Sequence, residues 1–235
     1  MPYMCYKECK KMGKEKSQKT ETNFNTLEIK TMMIQGSDEW KQARVGKVTA
    51  SRMADVMART KSGYGASRSN YMAELIAERL TGNPANGYVN EAMKFGTENE
   101  PLARAAYVFS YGVEVEEVGF IDHPEMEMTG CSPDGLIGKD GLIEIKVPNT
   151  STHIDFLLGE EIPDKYIKQM DWQMECTGRQ WVDFASFDPR LPEHLRLKII
   201  RVHRNESRLS IMRVEVLKFI VEMNAMLEKL SRLAA

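Results

Sequence analysis

Apolar residues recur at helical and strand spacings along most of the chain after residue 33. Met72, Leu75, Ile76 and Leu80 lie three or four positions apart and predict a helix capped by Ser69 and closed by Gly82. Val216, Leu217, Ile220, Met223 and Leu227 predict a long last helix from about Ser207 to Leu230. Asp164 to Cys176 reads as a helix ended by Gly178, and Thr97 with Glu100 fits a capping box for a helix to about Ser110, stopped by Gly112. Near the start, Ser37 can cap a short helix containing Trp40 and Arg44, and Thr49 or Ser51 can open another turn. Strand-like alternation marks 113–122, 142–147, 181–187 and 195–202. Residues 59–68 and 83–92 read as loops. Helices followed by strands, with one helix among the strands and one after them, predict an α/β or α+β fold with a mixed central sheet flanked by helices.

Residues 1–33 lack this periodicity. Seven Lys and four Glu in the first 30 residues make the segment mildly basic, which predicts a disordered tail ahead of one domain over 34–235. The 235 residues are 42% apolar, enough for one substantial core, and carry a formal charge of −2. Overall charge therefore does not hold this chain on a nucleic acid, and any such binding needs locally concentrated positive charge. Cys5, Cys9, Cys131 and Cys176 form no C-x-x-C pair, so neither a zinc site nor a disulfide framework is indicated. Scattered cysteines, no signal-like segment and no membrane-length apolar run predict a cytoplasmic protein.

The chemistry concentrates in Cys131–Pro148, CSPDGLIGKDGLIEIKVP. In a strand over 142–147, Ile143, Ile145 and Val147 face one way while Glu144 and Lys146 face the other. Asp134 lies ten residues before Glu144, in a Pro-Asp-Gly turn. If 134–138 and 141–147 pair as a hairpin, the Asp134 and Glu144 carboxylates converge. Together with a backbone carbonyl such as that of Ile145 they make an all-oxygen site suited to a hard cation, of which Mg²⁺ is the usual case. A bound cation can polarise a phosphate oxygen and acidify water, with Lys146 placed to orient the nucleophile and stabilise developing charge. Each motif alone also has an ordinary reading: E-x-K is often a solvated pair, and P-D-G is a common turn.

These residues resemble the motif of the PD-(D/E)XK nuclease superfamily, with Pro133-Asp134 followed by Glu144-Ile145-Lys146. More narrowly, the chain is similar to the phage lambda exonuclease family, the viral recombinase type. The likeness runs from about Gln35 to Phe187 through Trp40–Arg44, Val48–Ser51, Phe95–Glu100, Cys131–Gly135, Glu144–Lys146 and Tyr166–Gln169. It implies a restriction-endonuclease-like core and processive 5′-to-3′ digestion of one strand of duplex DNA, leaving a 3′ overhang. It also implies a toroidal homotrimer on double-stranded DNA ends, a single-strand annealing protein as recombination partner, and a phage or prophage protein at work in the bacterial cytoplasm. Two Mg²⁺ ions are implied, with Mn²⁺ able to substitute.

Roles carry over by position. Asp134, Glu144 and the Ile145 carbonyl are implied metal ligands, with Lys146 as the catalytic lysine. Glu100 matches an acidic residue that helps hold a metal or its water, and Gln169 matches a helix glutamine beside the site. Arg44, Ser51 and Ser132 match a pocket for the 5′-phosphate, which suits a guanidinium fork and two hydroxyls. Met93 matches an apolar wedge between terminal base pairs, and Lys61 a basic side chain in the minor groove. The family often has a second glutamine in the helix after Tyr166, whereas this chain reads Gln169-Met170-Asp171. Simpler readings stand beside these: Glu100 as half of a capping box, Arg44 and Gln169 as helix-surface residues, Ser51 and Ser132 as caps or turns, and Met93 as core. The four histidines lack ligand spacing, and the three tryptophans read as packing residues. A restriction-type endonuclease and a catalytically silent DNA-end-binding scaffold are the alternative functions.

Overall fold

The computed structural model describes residues 33–85, 90–159 and 161–234. The expected tail, with Cys5 and Cys9, lies outside the described residues apart from Met33. Helix α1 (Asp38–Arg44) starts as expected, with Ser37 Oγ accepting from the Trp40 N–H at 3.2 Å. Strand β1 (Val48–Thr49) leads through a 3₁₀ turn, Ala50–Arg52, into the short α2 (Met53–Val56).

Several expectations are corrected. The loop foreseen at 59–68 contains a small hairpin of β2 (Arg59–Thr60) and β3 (Gly63–Tyr64), exposed on both strands. Helix α3 (Ala66–Thr81) starts before Ser69, whose Oγ donates to the Ala66 carbonyl at 3.0 Å instead of capping; Gly82, at φ 70°, ends the helix as expected. Helix α4 (Glu91–Tyr111) is capped by Asn90, which accepts from the Met93 N–H at 2.9 Å. Thr97 therefore sits within the helix, donating to the Met93 carbonyl at 3.2 Å, and its capping box with Glu100 does not form. Of the strand expected at 113–122, β4 (Ile121–Asp122) forms, with one isolated bridge, Glu116 to Leu136. Val113 and Val115 still turn inward, against the cluster that contains Ile143 and Tyr107, but most of the segment has no continuous partner strand among the described residues.

Strand β5 (Thr129–Cys131) lies between β1, parallel to it, and the antiparallel β4. The main sheet has the order β6 (Gly135–Ile137), β7 (Gly141–Lys146), β8 (Trp181–Phe187), β9 (Leu197–His203), with only β7 and β8 parallel. Two helices make the crossover between them: α5 (Thr150–Gly159), which the apolar pattern did not suggest, and α6 (Asp164–Thr177). Helix α7 (Glu206–Ser231) closes the chain, capped by Asn205 accepting from the Arg208 N–H.

Alternation along β7 positions the site. Ile143 and Ile145 pack with Ala103 and Tyr107 of α4 on one face, and Leu142 packs with Met170 and Met174 of α6 on the other. A third cluster joins α2, α3, α6 and α7 around Tyr71, Trp172 and Phe219. Burial of each such side chain contributes about 1.5–3 kcal/mol. The sheet is thus mixed and covered by helices on both faces, the expected class. Among the described residues, no helix is long and apolar enough to cross a membrane.

Candidate active site

The hairpin inferred from spacing forms, with Gly135 opposite Ile143 and Ile137 opposite Gly141. Its register carries Asp134 to β7, where Asp134 Oδ2 accepts the Ile145 N–H at 2.6 Å. Asp134 Oδ1 has no hydrogen-bond partner among the described residues. Glu144, fully buried, contacts Lys146 Nζ through Oε1. Burial pushes the Asp134 carboxyl well up, and the neighbouring charges of Glu144 and Glu100 add to this, while Lys146 and the Ile145 N–H offset only part of it. Burial alone would lower Lys146, but Glu144 and Asp134 outweigh it and hold the ammonium above its ordinary range. Three carboxyls, Asp134, Glu144 and Glu100, thus crowd around the one ammonium of Lys146.

Helix α6 supplies the rest of the Glu144 shell. Gln169 Nε2 donates to Oε1 and Gln173 Nε2 to Oε2, each at 2.6 Å. Gln173 was missed in the sequence, although it lies four residues, about one turn, beyond Gln169 on the same helix face. Asp171, where the resemblance implied a second glutamine, points the other way and takes a bidentate pair from Arg208 of α7 at 2.7 and 2.8 Å. It therefore exerts no direct repulsion on a bound phosphate.

Glu100 faces the cluster from α4 but is paired with Arg104 at 2.6 Å. Its carboxyl is raised by burial, against the pull of Arg104, and further by Glu144. A cleft of about 430 Å³ opens onto Glu100, Ile145, Lys146 and Met93. Met93 is 52% exposed at this cleft, so it is not a core residue.

The parallel pairing of β1 with β5 brings Ser51 and Ser132 to the same end of that sheet. Arg44 Nη1 lies 3.4 Å from Ser132 Oγ, its guanidinium stacks 4.1 Å over the Trp40 ring, and Trp40 Nε1 donates to Ser132 Oγ at 2.9 Å. Ser51 Oγ is 3.3 Å from Thr49 Oγ1. No carboxylate pairs with Arg44 among the described residues, and burial lowers its pKa, so a bound anion would relieve it. Only Pro133 separates Ser132 from Asp134, so this pocket adjoins the acids. Lys61 sits exposed at the tip of the β2–β3 hairpin.

Trp40 holds Arg44 and Ser132 in their pocket, while His153 and Trp172 lie in the packing. His153 is buried between Ser186 Oγ and the Leu195 carbonyl, and Trp172 is fully buried. Among the described residues no three His, Cys, Asp or Glu side chains converge to hold a metal. The set that fits a hard cation is two carboxylates and one carbonyl. A divalent ion would offset the repulsion among these crowded acids and take the unpartnered Asp134 Oδ1.

A family model for the YqaJ-like viral recombinase domain matches residues 39–180. An alkaline exonuclease from Laribacter hongkongensis, solved alone and in complex with dAMP, is 52% identical with a TM-score of 0.79, over 84% of this chain and 98% of its own. A phage-related exonuclease from Haemophilus somnus 129PT, at 15% identity, a TM-score of 0.64 and coverage of 78% and 96%, shares the fold. No curated protein matches the chain.

Proposed function

The chain belongs to the YqaJ-like viral recombinase family, the phage lambda exonuclease type of nuclease, and from that premise we propose that it is a Mg²⁺-dependent exonuclease degrading one strand of duplex DNA 5′ to 3′ and leaving a 3′ overhang. The observation that carries this reading is the meeting of Asp134, Glu144 and Lys146 at the end of β7. The 52% identity to an alkaline exonuclease supports action at DNA ends.

Asp134, Glu144 and the Ile145 carbonyl would hold Mg²⁺, two ions in the full site with Glu100 assisting and Mn²⁺ able to substitute, and such ions supply Lewis acidity to the phosphate and acidify water. Lys146, in contact with Glu144 Oε1 and lining the cleft, would act as a positive donor beside the phosphate. It stabilises charge building on the phosphorane and orients the nucleophile. Gln169 and Gln173 hold both Glu144 oxygens in place. Arg44, Ser51 and Ser132 receive the terminal 5′-phosphate, Met93 separates the terminal base pairs, and Lys61 reaches the minor groove. A homotrimer encircling the duplex, with a single-strand annealing protein taking the overhang, completes the proposal, at work in a bacterial cytoplasm.

The test uses linear duplexes with 5′-phosphate or 5′-hydroxyl ends and a closed circle, in Mg²⁺ or EDTA, with product polarity mapped. Digestion from phosphorylated 5′ ends, abolished by EDTA and absent on the circle, is expected. Nicking of the circle would overturn the exonuclease reading, and equal rates on both ends would remove the role of Arg44.

A further inference from the structure

Lys146 and Tyr166 line two spaces at once. One is the cleft holding Met93 and Glu100. The other is a cavity of about 340 Å³ enclosed by α5, the start of α6 and β8. It lies across β7 from Asp134, because β6 and β8 flank β7 on opposite sides and Ser186 of β8 stands in register with Lys146. A polynucleotide held at the acids therefore has this cavity directly beside it, away from the Arg44 pocket.

The lining favours a base over a phosphate. Its walls are aromatic and apolar: Phe156 meets Phe184 edge-on at 5.4 Å, Tyr166 lies 5.5 Å from Phe184, and Pro148 and Pro163 complete the slot. Lys146 is the one cation among the described lining residues. Asp155 and Glu161, at the rim, have no hydrogen-bond or ion-pair partner among the described residues, so they repel phosphate yet can accept from an exocyclic amine. Deeper in, the Leu195 carbonyl can only accept, so His153 Nε2 carries a hydrogen for it at 2.8 Å. His153 Nδ1 then accepts from the Ser186 hydroxyl at 2.7 Å, leaving Ser186 oxygen lone pairs as acceptors. Aromatic walls with acceptors and little positive charge match a planar heterocycle carrying N–H donors. The volume, above the roughly 300 Å³ at which ligand pockets begin, admits a base with part of its sugar.

Building on the exonuclease reading, we infer that this cavity is a nucleobase subsite that takes the base next to the scissile phosphate in the strand being cut. It grips that strand by a ring face while the acids and Lys146 hold the phosphate, and it binds any base that can stack, with those bearing an exocyclic amine favoured.

Gly159 lines the cavity, and a Cβ added there meets nothing within 4 Å, so Gly159→Phe fills the space from its edge. In EDTA, where nothing is cut, 2-aminopurine is walked through the first positions of a 5′-phosphorylated duplex at saturating protein. At one position near the end its fluorescence should rise as the base leaves the stack, and Gly159→Phe should abolish the rise. In Mg²⁺, an abasic nucleotide at that position should slow wild-type cleavage roughly 5- to 100-fold, the worth of one stacked base. Gly159→Phe should be slowed similarly on intact DNA and gain no further penalty from the abasic site. Should Gly159→Phe fail to fold, Thr152→Trp at the rim serves the same purpose. A flat 2-aminopurine scan, or an equal rise in wild type and variant, overturns the subsite even if DNA is digested. A localised rise in a protein that digests no DNA sustains the subsite and overturns the exonuclease reading instead.

Discussion

Replacing Gln173 by leucine separates a residue that fills space from one that aims Glu144. Gln173 is fully buried; its Nε2 donates to Glu144 Oε2 at 2.6 Å, and its Oε1 has no partner. Losing a hydrogen bond to a charged acceptor costs about 1.5–3 kcal/mol, while removing a buried, unpaired carbonyl returns about 1–3 kcal/mol. The two nearly cancel, so unfolding stability should change by less than about 2 kcal/mol. Function should not be spared, because Glu144 Oε2 loses the donor that fixes it, and loss of such supporting contacts costs roughly 10- to 100-fold in metal affinity or activity. Urea unfolding gives the first quantity, and initial rates on a linear duplex across a Mg²⁺ titration give the second. A wild-type rate and Mg²⁺ dependence in Gln173→Leu, at any stability, would refute this reasoning.

Two further predictions follow from the charge pairs. Asp171→Ala breaks the bidentate pair with Arg208, whose side chain is 42% exposed and can reach water, so stability should fall by about 1–3 kcal/mol in thermal or urea melts with single-turnover cleavage unchanged; a large loss of turnover in folded protein would contradict the outward placement of Asp171. Burial alone would raise Asp188, but hydrogen bonds from Arg190 and Thr150 outweigh it and hold its carboxyl at about 2. A folded value below the ordinary 3.8 contributes stability above about pH 4 that is lost as pH falls through 2, so Asp188→Asn should flatten the stability profile between those values, measured by denaturant melts at stepped pH, and a parallel profile would argue against it.

What the sequence made legible was the part set by strong periodicity. The two-residue repeat through Ile143 and Ile145 fixed which face of β7 is core, and so put Glu144 and Lys146 together with Asp134 across the turn. The helical spacing in α3, α6 and α7 was equally plain. Local look-alikes misled. Thr97 and Glu100 have the spacing of a capping box, yet Asn90 caps the helix one and a half to two turns earlier. Helix α5 has only His153 and Phe156 fully inward while Leu158 is 82% exposed, so it shows no clean apolar stripe. The β2–β3 hairpin is exposed on both strands and held by backbone pairing and by Arg59 and Tyr64 on Glu215, which leaves no apolar alternation to read. Gln173 is not legible from the position two residues after Gln169, which lies off the site, because a helix brings the fourth residue back to the same face.

The central claim is that Asp134 and Glu144 together hold a divalent cation beside Lys146. Calorimetric titration of Mg²⁺ and Mn²⁺ into the wild-type protein and into Asp134→Asn, without DNA, tests it most directly. The account predicts saturable binding by the wild type that weakens at least roughly tenfold in the variant. Equal binding by both proteins, or none by the folded wild type, would contradict it.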